Sequence, residues 1–277
     1  MGCAETTLHR ERSRFNTMDI SLIIAAALIS VLGLPHGALD PVVAQRIGLW
    51  KSWLGLSVFL TLYVVLAAAM IALWLYIPII GFVIFLAVSV IHFGRDYQRY
   101  QNSIWQQIAY GAFVLGLPTL FHPEGTQEIF DYLLFGHTPM VVIWSMQIGG
   151  ILGAIVLASR LKLKQPIAIT ELTVLFLVAW LLSPLWYFVV FFCLMHSPRH
   201  LLPIFQQYEI QNRGKGLLVI VAITIVTLLL GAIAAYVFQA TAISQNALLL
   251  QIIFIGLAGL TMPHMILIEW ARRQTIG

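Results

Sequence analysis

The sequence predicts an all-α, polytopic transmembrane helix bundle of about nine helices, within a range of seven to nine. Three observations predict it. Of the 277 residues, 60% are apolar and only 9% are charged, whereas soluble chains carry about a quarter charged residues. The apolar residues gather into runs near the roughly 20 residues that one helical crossing needs. The third observation is the placement of positive charge. With nine crossings, all twelve Lys and Arg beyond residue 17 fall on one side: Arg46, Lys51, Arg95, Arg99, Arg160, Lys162, Lys164, Arg199, Arg213, Lys215, Arg272 and Arg273. Basic residues concentrate in cytoplasmic loops, so that side is read as cytoplasmic and the C-terminus is placed inside. Removing one crossing scrambles the division.

Taken in order, the runs lie near residues 19–35, 53–76, 78–93, 104–121, 139–159, 166–183, 185–202, 216–240 and 246–271. Pro35, with Gly33 and Gly37 around it, suggests that the first helix breaks there and exposes backbone, or makes a plain interfacial turn. The second and third runs meet at Pro78, and the sixth and seventh at Pro184. Each junction is either a tight turn or the bend of a kinked or re-entrant helix, which sets the range on the count. Residues 1–17 are polar and too hydrophilic for a signal peptide. Arg10, Arg12 and Arg14 would have to be translocated, unless this stretch is a start-site or cloning extension ahead of Met18. The expected organisation is therefore a polar tail, 1–17, and a single integral-membrane helical domain, 18–277.

The segments between runs are too short for a soluble domain, so any chemistry occurs in or at the membrane. The net charge of +4 comes without a basic stripe, which argues against nucleic-acid binding. Cys3 and Cys193 are too few and too far apart for a disulfide framework.

Histidine placement carries the functional signal. His196 and His200 stand four residues apart at the end of the seventh run, on one helical face, where two neutral imidazoles can grip one ion. Pro198 between them leaves the angle of the rings open. The competing reading is a pair of wetted interfacial histidines. His36, His92 and His264 lie at the ends or last thirds of the first, third and ninth runs, so five of the eight histidines occupy one cytoplasmic level. His122 and His137 fall in a long loop on the opposite side, and His9 in the tail. Imidazoles converging from four helices are how a bundle builds a metal site, and an all-nitrogen set suits iron, copper, zinc or nickel. Asp40, Asp96 and Glu269 follow His36, His92 and His264 by four, four and five residues. Each is a candidate to hold a ligating imidazole by its other N–H, or else a solvated loop residue or cap. Phe188 and Phe192 precede His196 on its face, with Trp186 and Tyr187 beside them. They either pack and meet lipid, or line a cavity for a long flat apolar substrate.

Several motifs are missing. No His-Glu-x-x-His, Gly-rich phosphate loop, dinucleotide fingerprint or cysteine cluster is present. No lysine lies within a run, against an internal retinal Schiff base.

Four blocks together resemble the Brp/Blh family of membrane-embedded β-carotene 15,15′-dioxygenases. They are Gly33-Leu34-Pro35-His36-Gly37-Ala38-Leu39-Asp40, Ile91-His92-Phe93-Gly94, His196-Ser197-Pro198-Arg199-His200 and Met262-Pro263-His264-Met265-Ile266-Leu267, spread from the first run to the ninth. The resemblance implies cleavage of the central double bond of β-carotene by O₂, giving two retinal molecules. It also implies Fe(II) held by His36, His92, His196 and His200. His264 would be a fifth ligand, or would orient oxygen or a ligand. A bacterial inner-membrane location and supply of the product to a microbial rhodopsin go with it. Four histidine ligands leave one or two positions open on a six-coordinate iron. A bilayer-dissolved carotenoid would enter sideways between helices.

Three other readings compete. A membrane di-iron desaturase or hydroxylase needs roughly eight or more ligands, against five histidines at one level here. A metal or proton transporter needs polar groups at mid-span and often internal repeats. A non-catalytic carotenoid- or retinal-binding protein would hold pigment without turnover.

Overall fold

The computed structural model describes residues 19–100, 103–160, 165–206 and 213–276. The tail, with Lys162 and Lys164, lies outside the described residues. All nine apolar runs are helical, most with ends close to those expected, while the first helix continues to Arg46 and the last to Ile276.

The first helix, α1 (Ile20–Arg46), starts at Asp19, whose Oδ1 accepts the Ser21 N–H at 2.8 Å. It does not break at Pro35. It widens to a π stretch, Ile29–Gly33, tightens to a 3-10 stretch, Leu34–Leu39, and resumes as Asp40–Arg46. Pro35 sits in the first turn of the 3-10 stretch, where a missing N–H is tolerated. Helix α2 (Trp53–Tyr76) begins at Ser52, whose Oγ accepts from Gly55 N at 3.2 Å. Then come α3 (Pro78–Gly94), extended by a 3-10 turn Arg95–Arg99, α4 (Ile104–Phe121), α5 (Pro123–Leu133) and α6 (Met140–Arg160). They are followed by α7 (Pro166–Leu181), α8 (residues 184–206), α9 (Arg213–Phe238) and α10 (Gln245–Ile276). Both open junctions are true breaks: Ile77 has φ −135° and Leu182 has ψ 148°, and Pro78 and Pro184 each open a new helix.

Among the described residues six helices are long and apolar enough to cross a membrane: α1, α2, α3, α6, α9 and α10. Helix α7 is apolar but shorter, at 16 residues. Helix α4 is more polar because it is the centre of the bundle, where Gln106, Gln107, Tyr110 and Thr119 are buried. Small residues let its neighbours come close. A Cβ on Gly111 would overlap the Val90 carbonyl of α3, and one on Gly153 of α6 would overlap the Ala109 carbonyl. The stretch between α4 and α6, expected as a loop, holds α5, which buries Thr126, Phe130 and Leu133. Trp74 of α2 donates to its Leu133 carbonyl at 3.0 Å.

Among the described residues two large apolar cores result, beside a small cluster of Ala38, Leu39 and Ile220. One joins Phe93, Tyr97, Tyr110, Phe113, Tyr187, Phe191 and Phe192 of α3, α4 and α8. The other joins Trp74, Phe82, Phe130 and Phe254 of α2, α3, α5 and α10.

Candidate metal centre

The polar residues that bear chemistry meet between these cores. His92 ends α3, His196 ends a π stretch of α8, Val190–His196, and His200 lies one turn on. His264 comes from α10, next to Pro263. The π stretch matters locally. Pro198 would otherwise press on a carbonyl of the preceding turn, and a wider turn there gives it room.

A second π stretch, Ile29–Gly33 of α1, faces the first. Ser197 Oγ donates to the Leu32 carbonyl at 2.6 Å, and Cys193 Sγ to the Leu28 carbonyl at 3.5 Å. The approach is so close that a Cβ on Gly33 would overlap the Phe192 ring. These contacts bring the 3-10 stretch carrying His36 alongside α8. The His36 side chain lies outside the described residues.

His92, His196 and His264 are buried, at 4%, 0% and 4% exposure. Their rings converge: His92 lies 4.5 Å from His196, 5.4 Å from His200 and 5.2 Å from His264, centroid to centroid. The Nε2 atoms of His92 and His196 are 2.9 Å apart. His196 Nδ1 faces Asp96 Oδ2 at 3.0 Å. A carboxylate only accepts, so this Nδ1 carries the proton and Nε2 presents a lone pair. His264 repeats the pattern, with Nδ1 at 2.8 and 2.9 Å from the Asp40 oxygens.

This arrangement fits a metal ion. Two imidazole nitrogens each about 2.1 Å from one ion, at a right angle, lie ~3.0 Å apart. Carboxylates on the far nitrogens fix the tautomer that ligation needs. Asp96, His196 and His200 also offer one donor atom each within 4.8 Å of one another. His200 turns its Nε2 to Asp96 Oδ1 at 3.1 Å, so the donor left over on that ring is Nδ1.

Residues 27–272 match the family model described as Beta-carotene 15,15′-dioxygenase. The chain belongs to this family. A relative from uncultured marine bacterium 66A03, bearing the name Beta-carotene 15,15′-dioxygenase, is 31% identical over 261 residues, or 90% of this chain and 93% of the relative. No solved structure matches.

Within this dioxygenase family member, the carboxylates act across helices. Asp40, a candidate to hold the His36 ring or else a solvated residue or cap, is buried, and its oxygens meet His264 of α10. Tyr63 of α2 donates to Asp40 Oδ2 at 2.7 Å. Asp96, the corresponding candidate after His92, is buried too and reaches His196 and His200 of α8. Glu269 is directed elsewhere. It pairs with Arg95 at 3.0 Å, Arg272 at 2.6 Å and Arg273 at 3.4 Å. Glu269, Arg95 and Arg272 line a cavity of about 340 Å³ whose wall also includes His92 and His200.

The aromatic candidates divide. Phe188 and Phe192 stack at 5.1 Å and 11°, and Phe192 lies over His196 at 5.8 Å and 15°, a ladder of rings leading to the histidines. Phe254 of α10 adds to its outer end, 5.1 Å from Phe188. Trp186 and Tyr187 instead tie helices together. Trp186 donates to Ser21 Oγ at 2.8 Å, and Tyr187 is buried, donating to the Val114 carbonyl at 2.9 Å.

Four polar residues were missed by sequence reasoning: Tyr63, Tyr100, Tyr110 and Glu171. The signal for Glu171 was available, since a single carboxylate in an apolar helix marks a functional position by default. Arg199, counted among the cations of the cytoplasmic side, pairs inside the bundle with Glu171 at 2.7 Å and Asp96 at 3.4 Å.

Proposed function

We propose that the protein is an iron(II)-dependent dioxygenase that cleaves the 15,15′ double bond of β-carotene with O₂. Both oxygen atoms end in the products, two molecules of retinal. The observation that carries this reading is the pairing of family membership over residues 27–272 with two imidazole Nε2 atoms 2.9 Å apart in a buried site.

His36, His92, His196 and His200 hold the ion, with His264 beside them. Electrostatics support a divalent cation. Among the described residues, with Arg95 paired to Glu269, the buried carboxylates Asp40, Asp96 and Glu171 stand against one guanidinium, Arg199, a balance of three negative charges to one positive. In a low-dielectric interior that surplus of two attracts a dication and is neutralised by it. Bound iron(II) supplies the site at which O₂ is activated next to the polyene.

The chain's own residues do the rest. Asp96 and Asp40 keep the protons of His196 and His264 on Nδ1, so that Nε2 faces inward. The ring ladder of Phe188 and Phe192 forms an apolar wall along which the flat polyene lies, with its central bond beside His196. The dry surroundings of His92 and His196 exclude water from the cleavage.

The nine helical runs cross a bacterial inner membrane, with the C-terminus cytoplasmic and retinal passed to a microbial rhodopsin. β-Carotene arrives from the bilayer.

Expression in a β-carotene-accumulating bacterium tests the reading. The orange colour should fade and retinal should be extractable, with one iron per chain in the purified protein. Unchanged carotene refutes the activity, and two irons per chain would point instead to di-iron chemistry.

A further inference from the structure

Beyond the histidines, Glu171, Tyr100, Tyr110, Arg199 and Asp96 form one continuous line of contacts that starts at Glu171. This residue lies in apolar α7, and its side chain is 6% exposed. Three donors are committed to it. Arg199 Nη2 meets Oε2 at 2.7 Å, the Tyr100 hydroxyl donates to Oε2 at 2.7 Å, and the Tyr110 hydroxyl donates to Oε1. Arg199 then uses its other nitrogen, Nη1, to reach Asp96 Oδ2 at 3.4 Å, and the same nitrogen donates to the Tyr110 oxygen at 3.4 Å. Asp96 Oδ2 is also the oxygen that receives His196 Nδ1 at 3.0 Å.

We propose that Glu171 is a positioning residue for the metal centre, acting through Arg199 on Asp96. The proposal rests on the metal-centre reading above. One guanidinium faces two carboxylates through two nitrogens, a division that its planar fork allows. Glu171 takes the shorter pair and holds Arg199 back. Without the Glu171 charge, Arg199 closes on Asp96 Oδ2 and competes with His196 for that oxygen. The His196 ring loosens, and its Nε2 is no longer set against that of His92. The surplus of negative charge around the ion also falls from two to one.

The experiment compares wild type, Glu171→Gln and Tyr100→Phe as full-length purified proteins stripped of metal. Iron(II) and cobalt(II) affinities are measured by anaerobic competition with a chromophoric chelator. The ligand-field spectrum of the cobalt protein and the iron potential are read as well. Glu171→Gln should lower metal affinity by about 10-fold, the lower end for losses of this kind. It should also move the cobalt bands and raise the iron potential, because less negative charge favours the reduced ion. Tyr100→Phe removes a neutral donor from the same carboxylate and should stay close to wild type.

The outcomes separate the two layers of the argument. Wild type that binds neither iron nor cobalt overturns the metal centre itself. Wild-type binding with Glu171→Gln unchanged in affinity and spectrum overturns the role of Glu171 alone. Equal losses in Glu171→Gln and Tyr100→Phe also overturn it, since integrity of the network and not charge would then matter. If Glu171→Gln does not fold, Arg199→Lys replaces it, keeping the charge on a single nitrogen that cannot serve both carboxylates. Weakened binding is expected there, and wild-type affinity overturns the proposal.

Discussion

Replacing Asp96 by Asn keeps shape and volume but changes what the buried side chain can accept. The carboxylate of Asp96 faces His196 Nδ1 at 3.0 Å, His200 Nε2 at 3.1 Å and Arg199 Nη1 at 3.4 Å, all as an acceptor. An amide has one acceptor oxygen and one NH₂ group. One imidazole keeps its partner, while the other meets a donor and must change tautomer or turn. If His196 is the one displaced, its proton moves to Nε2, facing His92 Nε2 at 2.9 Å, and both nitrogens can no longer bind one ion. Losing such a support costs 10–100-fold in metal affinity, or about 1.4–2.8 kcal/mol at 1.4 kcal/mol per tenfold. Competition against a chelator of known affinity measures the change, and a thermal melt shows whether the variant is folded. A folded Asp96→Asn protein that binds iron as tightly as wild type would refute the tautomer argument.

Other variants probe separate parts of the structure. Ala at His92 or His196, and equally at His36 or His200, should abolish retinal formation and most bound iron, read by product extraction and metal analysis. His122→Ala, on the α4–α5 connection, should preserve both. Tyr63→Phe leaves the Asp40–His264 pair in place and should reduce iron affinity less than Asp40→Asn does, when both are titrated side by side. Gly33→Ala drives a methyl into the Phe192 ring and should destabilise the fold by about 1–3 kcal/mol, as overpacking does. A melting curve and a carotene KM would show whether the ring has moved. Chelator treatment should stop cleavage, and iron(II) alone should restore it.

The sequence made the helices legible because lipid-facing segments carry their signal locally. Helix α2 runs Trp53–Tyr76, and the apolar run read in the sequence is 53–76. Prolines at 78 and 184 gave the right breaks because proline is favoured in a first helical turn. Pro35 misled for a related reason: a 3-10 start tolerates proline as readily as a break does. Helix α5 escaped notice because its amphipathic pattern is short and lies where a loop was expected.

At the site, the spacing of His196 and His200 was legible, and so was the meeting of their rings with those of His92 and His264. Partner choice was not. The spacing of Asp40 and Asp96 made them candidates for imidazoles on their own helices, or else caps, and each also meets an imidazole from another helix. That choice depends on how α1, α3, α8 and α10 lean together, which no local pattern encodes. The two π stretches meet where they lean, Ser197 donating to the Leu32 carbonyl and Cys193 to that of Leu28. Glu171 and Arg199 were hidden differently. Glu171 is one carboxylate inside an apolar run, with no motif around it, and Arg199 was counted only for the side of the membrane on which it falls.

X-ray absorption at the iron edge of the purified, active enzyme examines the convergence of the histidines without relying on any variant. Several imidazole nitrogens around one iron at about 2.1 Å, with no second metal nearby, is the result expected. An iron–iron vector, sulfur in the first coordination sphere, or a spectrum without imidazole would contradict it.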